Sequence, residues 1–205
     1  MDAQKAAKEL KVIRDLMERP VRYSTQSGLS GVLAGTAAIA GCLADWRVSN
    51  AWADEPHAAM WINLCIWAAV FATAFTGVTI LTRLRERRRG MPFWSSVKLR
   101  ILKTILPPFL AGAGLTLAIF YHWYHGAGPN MWALVPPVWM LFYGVACWQV
   151  GEFSIPEIRV LGAAFIVAGL AAALLLQTAP YLSIGATFGG LHILYGIVVW
   201  VRHGG

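Results

Sequence analysis

The chain alternates between long apolar blocks and short polar or charged segments. Six blocks each have about the 20 residues that an α-helix needs to cross the hydrocarbon layer of a bilayer. They cover residues 28–48, 58–82, 104–124, 131–150, 158–178 and 181–201. The pattern therefore predicts an all-α membrane protein with six transmembrane helices, built as one domain over residues 23–205.

Residues 1–22 follow a different pattern. Leu10, Ile13, Leu16 and Met17 recur at helical spacing, and Lys and Glu side chains fill the positions between them. This pattern is typical of an amphipathic helix. We expect this helix either to lie in the cytoplasmic interface of the membrane or to dock on a partner or a second copy of the chain.

The distribution of charge predicts the topology. Of the 17 Lys and Arg residues, 16 fall in residues 1–22, in residues 83–103, or at Arg159 and Arg202, and the last is Arg47. If the helices alternate across the membrane, all 16 lie on one side. Cytoplasmic loops carry such an excess of positive charge, so we expect both chain ends to be cytoplasmic.

The low share of charged residues limits the function classes. The chain is 58% hydrophobic and 13% charged, whereas soluble domains carry about 25% charged residues. The six blocks leave no room for a soluble catalytic domain. Because position in the membrane explains the net charge of +7, we expect no direct binding of nucleic acid.

Residues 83–103 hold eight Lys or Arg residues and one acid, Glu86. We interpret this stretch as a cytoplasmic loop between the second and third helices. Its positive charge should attract anionic lipid headgroups, and the arginines expected to contact them are Arg85, Arg87, Arg88 and Arg89.

Several polar residues and prolines carry local expectations. Pro107 and Pro108 are placed in the first turn of the third helix, where the missing N–H groups matter little. Pro137 is expected to kink the fourth helix. Asn63 is expected to bond to another helix. Separately, an ion pair among Glu152, Glu157 and Arg159 is expected to close the turn before the fifth helix.

Small residues suggest where helices approach each other closely. Gly31 and Gly35 form a GxxxG step in the first helix, which favours either packing within one bundle or a specific dimer seam. Gly189 and Gly190 give the sixth helix a similar character.

A short motif recurs in the fourth and sixth helices. Tyr143-Gly144-Val145 with Trp148 resembles Tyr195-Gly196-Ile197 with Trp200. A weaker version, Thr76-Gly77-Val78, lies in the second helix. The recurrence fits three repeated helical hairpins, but glycine and tryptophan also recur in membrane helices that have no repeat.

His192 is the sharpest candidate for chemistry. It lies near the middle of the sixth helix, and an ionisable group at that depth is a functional hypothesis. Three roles stay open, namely a structural hydrogen bond, a proton-relay or ligand-sensing site, and a haem or metal ligand. Tyr195, one turn away, is the expected neighbour in a cofactor or ligand site.

Three further histidines lie at the opposite membrane face from the basic segments. His122 and His125 are spaced three residues apart at the end of the third helix, and His57 lies at the start of the second. Together they suggest a zinc or copper site. The alternative is a belt of aromatic and histidine side chains at the headgroups.

Three stretches carry a resemblance to a known family. They are LMER and YS within residues 16–24, SGLSG and LAG within 27–35, and GGLHI and YGI within 189–197. With these motifs the chain resembles an uncharacterised family of small bacterial six-helix membrane proteins. The resemblance implies a multi-pass protein of the bacterial inner membrane. Some members of that family accompany winged-helix regulators, which implies a regulatory partner.

The sequence thus favours a non-enzymatic role, since Ser, His and carboxylate groups do not gather at one depth. The leading hypothesis is a sensor, a regulatory partner or an accessory subunit of a larger membrane complex, without a cofactor. Other membrane subunits or a second copy of the chain are the expected partners. The alternative is a small transporter, or a redox protein with haem or metal, that uses His192 and the three other histidines.

Overall fold

A computed structural model describes residues 27–90, 92, 94–126, 128–175 and 180–203. The predicted amphipathic helix in residues 1–22 lies outside them. Within the described residues, the long elements are helices: α1 Gly28–Ala51, α2 Pro56–Arg88, α3 Ser96–Tyr124, α4 Val135–Val150, α5 Pro156–Leu175 and α6 Pro180–His203. A 3₁₀ turn, Pro129–Leu134, leads into α4.

Six helices, counting the 3₁₀ turn with α4, are long and apolar enough to cross a membrane. The prediction of an all-helical, multi-pass membrane protein is therefore confirmed at this level. We call the end of the bundle that carries residues 83–103 the basic end, and the other the opposite end.

The interpretation of residues 83–103 as a loop was wrong for most of that stretch. The helix α2 has 33 residues, about 50 Å at 1.5 Å per residue, whereas the hydrocarbon layer is about 30 Å thick. Its arginine-rich turns therefore continue the helix beyond the apolar part. Gly90, with φ of 67°, takes the left-handed conformation that commonly ends a helix.

The start of α3 also lies earlier than the apolar block suggested. The Ser95 hydroxyl caps the helix by accepting a hydrogen bond from the Lys98 amide at 3.2 Å, as serine commonly does at this position. Pro107 and Pro108 are consequently inside α3 and not in its first turn.

The expectation for Pro137 was wrong in a similar way. The helix α4 begins at Val135, so Pro136 and Pro137 lie in its first turn. Proline is well accommodated there because the first amides of a helix have no acceptor within it.

Glycines set the closest helix contacts. Gly28 of α1 lies against the carbonyl of Gly196 in α6, and Gly162 of α5 lies against the carbonyl of Gly144 in α4. Both tyrosine–glycine motifs thus make the same kind of contact, each with a glycine near the start of another helix. The repetition of whole hairpins stays a prediction.

The small face of α1 packs inside the bundle. A side chain at Gly31 would meet the backbone of His192 and Gly196, and one at Gly35 would meet the carbonyl of Gly189. The GxxxG step therefore forms the contact between α1 and α6, which is packing within one bundle. Gly190 is exposed and has no comparable close contact.

Ion pairs tie the helices together at the basic end. The Glu86 carboxylate is 1% exposed and lies 2.6 Å from the Lys98 ammonium, which joins α2 to α3. The expected ion pair at the turn before α5 forms between Arg159 and Glu152. Glu157 instead faces the end of α6, 3.2 Å from the Arg202 guanidinium.

Candidate functional site

The candidate site is centred on His192, in the middle of α6. This side chain is 8% exposed. The helix has an irregular segment just before it, because Gly185–Leu191 is π-helical. Such segments are rare and often occur at functional sites. Three glycines in this stretch, Gly185, Gly189 and Gly190, reduce the steric cost of the irregular turn.

The imidazole of His192 is hydrogen-bonded across the bundle to α4. Its Nε2 lies 2.7 Å from the hydroxyl oxygen of Tyr143. Phe188 stacks on the imidazole with ring centroids 5.9 Å apart, and Phe165 meets its edge at 5.3 Å. Phe165 is fully buried, so aromatic rings line the pair, and the Cys147 thiol is a second polar group beside the Tyr143 hydroxyl.

The second ring nitrogen of His192 is not satisfied in the same way. Nδ1 is buried and makes no hydrogen bond of good geometry. The backbone carbonyls of Thr187 and Phe188, in the π-helical segment, are the acceptors that face the ring. A neutral imidazole has one donor and one acceptor nitrogen, and a tyrosine hydroxyl can donate or accept. The pair can therefore exist with either direction of the hydrogen bond.

Tyr195 is the neighbour expected from the sequence, but Nε2 of His192 faces Tyr143. Tyr195 packs with Met140, Leu161 and Phe165 in the apolar cluster around the site. The partner, Tyr143, occupies the matching place in the motif of α4. Sequence reasoning therefore noted the right kind of residue but chose the one on the same helix, because spacing alone reveals only neighbours within a helix.

The surroundings of His192 do not fit a haem. The aromatic contacts cover the imidazole, and Nε2 faces the Tyr143 hydroxyl. Axial ligation would require that hydrogen bond to break and the packed Phe188 to leave.

His57, His122 and His125 all lie at the opposite end. His57 packs between Trp123 and Tyr124, with ring centroids 4.9 and 5.1 Å away. His125 packs on Tyr121 at 4.4 Å. Among the described residues, no three His, Cys, Asp or Glu side chains are grouped closely enough to hold a metal ion. These ring contacts are those of an aromatic belt, and the zinc or copper site stays a prediction.

Sequence reasoning missed a buried carboxylate. Asp45, in α1, is 9% exposed, accepts a hydrogen bond from the Trp67 indole at 2.7 Å and accepts another from Ser49 at 3.2 Å. Asn63 donates to Ser49 at 3.0 Å, which confirms that it bonds to another helix. The network joins α1 to α2 at the opposite end.

Comparison with models of protein families, with curated proteins and with solved structures finds no match to this chain. The arguments about function therefore rest on its own residues.

Removing the Tyr143 hydroxyl tests the central hydrogen bond. We expect Tyr143→Phe to lower the free energy of unfolding by about 0.6 kcal/mol and at most about 1.7 kcal/mol, the range found for hydrogen bonds between membrane helices. The ¹⁵N shift of His192 Nε2 should change in the same variant. Tyr121→Phe is the control, because Tyr121 is 59% exposed. An unchanged Nε2 shift in Tyr143→Phe would contradict the pairing.

Proposed function

We propose that this chain is a non-enzymatic membrane protein that acts as a sensor or as an accessory subunit of a larger complex. The basic end faces the cytoplasm and contacts the partner, and the His192–Tyr143 pair is the sensing element. The distribution of Lys and Arg along the sequence supports this orientation.

The observation that carries the proposal is the direct link that α6 makes between the two regions. The regular part of α6 runs from His192 to His203, about 18 Å at 1.5 Å per residue. At its end, the Arg85 guanidinium of α2 donates a hydrogen bond to the His203 carbonyl. Glu157 of α5 lies 3.2 Å from the His203 imidazole. A displacement of α6 at the central pair would therefore move His203 and, through its hydrogen bond to Arg85, the arginine-rich end of α2.

The basic end has the form of a contact surface. Arg87, Arg88 and Arg89 are exposed at the end of α2. The Glu86–Lys98 ion pair holds this helix end against α3, so the three guanidinium groups project from an ordered support. A partner with an acidic surface, or anionic headgroups, would complement them.

Capture of the partner from native membranes tests the proposal. The tagged full chain is crosslinked in its own membrane, solubilised gently and analysed by mass. We expect a second protein with the wild type and at least about tenfold less of it with R87E/R88E/R89E, because opposed like charges cost several kcal/mol and about 1.4 kcal/mol already gives a tenfold change. The control is R47E, which reverses the one cation predicted to lie on the other side.

Two results would count against the proposal. One is recovery of the chain alone, unaffected by deletion of residues 1–19. The other is equal recovery with the triple variant and the wild type. Tyr143→Phe then separates the two roles, because an unchanged amount of partner would leave an accessory subunit and remove the sensing role.

A second candidate function is proton-coupled transport through the same pair. The specific observation that favours it is the π-helical segment beside a buried histidine whose Nδ1 lacks a well-formed hydrogen bond. Protein reconstituted in vesicles with an internal pH dye would show proton entry under an imposed gradient. Entry that is the same in His192→Gln and the wild type would exclude the pair from transport.

A further inference from the structure

A groove opens between α3 and α4 at the basic end, with a volume of about 600 Å³. One wall comes from Arg100, Lys103, Thr104 and the two prolines of α3, which recur at the spacing of a single helix face. The other wall carries Trp148 and Gln149 at the end of α4, and Glu152 and Phe153 in the segment after it. The groove thus combines charged groups with apolar surface where the bundle leaves the hydrocarbon layer.

Two cations form the polar side of the groove. Arg100 and Lys103 lie one helical turn apart and are both exposed. The Arg100 guanidinium is held over the Phe153 ring, 4.8 Å from its centroid, in a cation–π contact. Basic pockets between membrane helices on the cytoplasmic side are typical sites for phosphate headgroups, and arginine is well suited to bind phosphate oxygens.

The prolines inside α3 add hydrogen-bond acceptors to the same groove. Proline has no N–H group, so Pro107 and Pro108 cannot donate the usual helical hydrogen bonds to the carbonyls of Lys103 and Thr104. The Thr104 hydroxyl does not compensate, since it donates to the Arg100 carbonyl at 2.8 Å. Two backbone carbonyls in the groove-lining part of α3 therefore lack their usual amide donors.

We propose that this groove binds a phospholipid with a primary ammonium headgroup, of the phosphatidylethanolamine class. Arg100 and Lys103 bind the phosphate, and the carbonyls of Lys103 and Thr104 accept hydrogen bonds from the ammonium. Glu152 lines the same groove, but its carboxylate is paired with Arg159, so the two carbonyls are the acceptors that distinguish the headgroup. The Trp148 ring, 44% exposed, covers the glycerol and the first part of the acyl chains.

The acceptors distinguish this proposal from general attraction to anionic lipid. A phosphatidylcholine headgroup has the same phosphate and the same charge, but its trimethylammonium group has no N–H donor. We therefore expect discrimination between two zwitterionic lipids, which the surface arginines at the end of α2 cannot provide. The proposal does not depend on the proposed function.

The test uses the full chain in nanodiscs with equal amounts of phosphatidylethanolamine, phosphatidylglycerol and phosphatidylcholine. Lipids retained after gentle release are counted by native mass spectrometry. We expect the wild type to retain phosphatidylethanolamine about fivefold over phosphatidylcholine, the ratio given by about one net hydrogen bond. R100E/K103E should lose this lipid, whereas R87E/R88E, which alters cations outside the groove, should keep it.

The variant P107A/P108A tests the role of the carbonyls. Alanine restores both N–H donors, so the preference over phosphatidylcholine should fall to about one while the total of retained phospholipid stays the same. Alanine also favours the helix, and the unfolding midpoint of the variant is measured alongside the lipid count. Equal retention of the two zwitterionic lipids by the wild type would overturn the proposal. A stronger preference for phosphatidylglycerol, or an unchanged preference in P107A/P108A, would do so too.

Discussion

Gly162→Ala should lower the free energy of unfolding by about 3 kcal/mol, the upper part of the usual range for overpacking. The added methyl would lie 2.5 Å from the Trp148 amide nitrogen and 2.7 Å from the Gly144 carbonyl oxygen. Both atoms are backbone, so no rotamer change can relieve the contact. The helices α4 and α5 must separate, and close packing is what holds membrane helices together.

The matched control for this experiment is Gly114→Ala. A methyl at Gly114, also inside a helix, would have no atom within 4 Å. The change should be neutral or stabilise by up to about 1 kcal/mol, since alanine has the better helix propensity. Unfolding of both variants in mixed detergent micelles gives the comparison. Equal stability of Gly162→Ala and the wild type would mean that α4 and α5 are far enough apart to accommodate a methyl group at residue 162.

Glu86→Ala should be the most damaging single change of charge, with a loss of about 3 kcal/mol. Removal of one partner from a buried ion pair costs about 3–5 kcal/mol because it leaves the other charge uncompensated. We take the low end because the Lys98 side chain is 19% exposed, whereas Glu86 is 1% exposed. Arg83, 3.8 Å from the same carboxylate, loses a partner too.

Glu152→Ala is the corresponding control for Glu86→Ala. Glu152 also pairs with an arginine, but the two side chains are 58% and 41% exposed. Exposed pairs contribute about 0–1 kcal/mol, so this variant should unfold almost like the wild type. The two stabilities are measured in one detergent at one pH. A similar loss in both variants would show that burial does not set the energy of these pairs.

The sequence was sufficient to predict six helices that are long and apolar enough to cross a membrane, because hydropathy summed over about 20 residues reports on the thickness of the bilayer. It placed the helix ends less well at residues 83–103. A helix continues as long as its backbone hydrogen bonds do, and Arg85 to Arg88 form those bonds as well as leucine would. Hydropathy marks where the apolar layer ends, and this is several residues before the end of α2.

The candidate site was predictable only in part. His192 was identified as a polar residue at mid-membrane depth, and the structure shows that it is buried. Its bond to Tyr143 was not predictable, because the two residues lie on different helices and spacing within one helix says nothing about which faces meet. Asp45 escaped notice for a related reason, since only the approach of Trp67 from α2 makes it a buried group.

The helix α6 contacts α1, and α4 contacts α5, through matching pairs of glycines. These contacts suggest that the helices could be linked in a different order along the chain. The helices α4 and α5 are joined by a turn of five residues between Val150 and Pro156. The helices α6 and α1 pack through the same kind of glycine contact, but they are the last and the first helix of the described chain. A circular permutant that joins α6 to α1 and opens the chain between α2 and α3 would keep these contacts. For this bundle, the order of helices along the gene is thus separable from the order in which they pack.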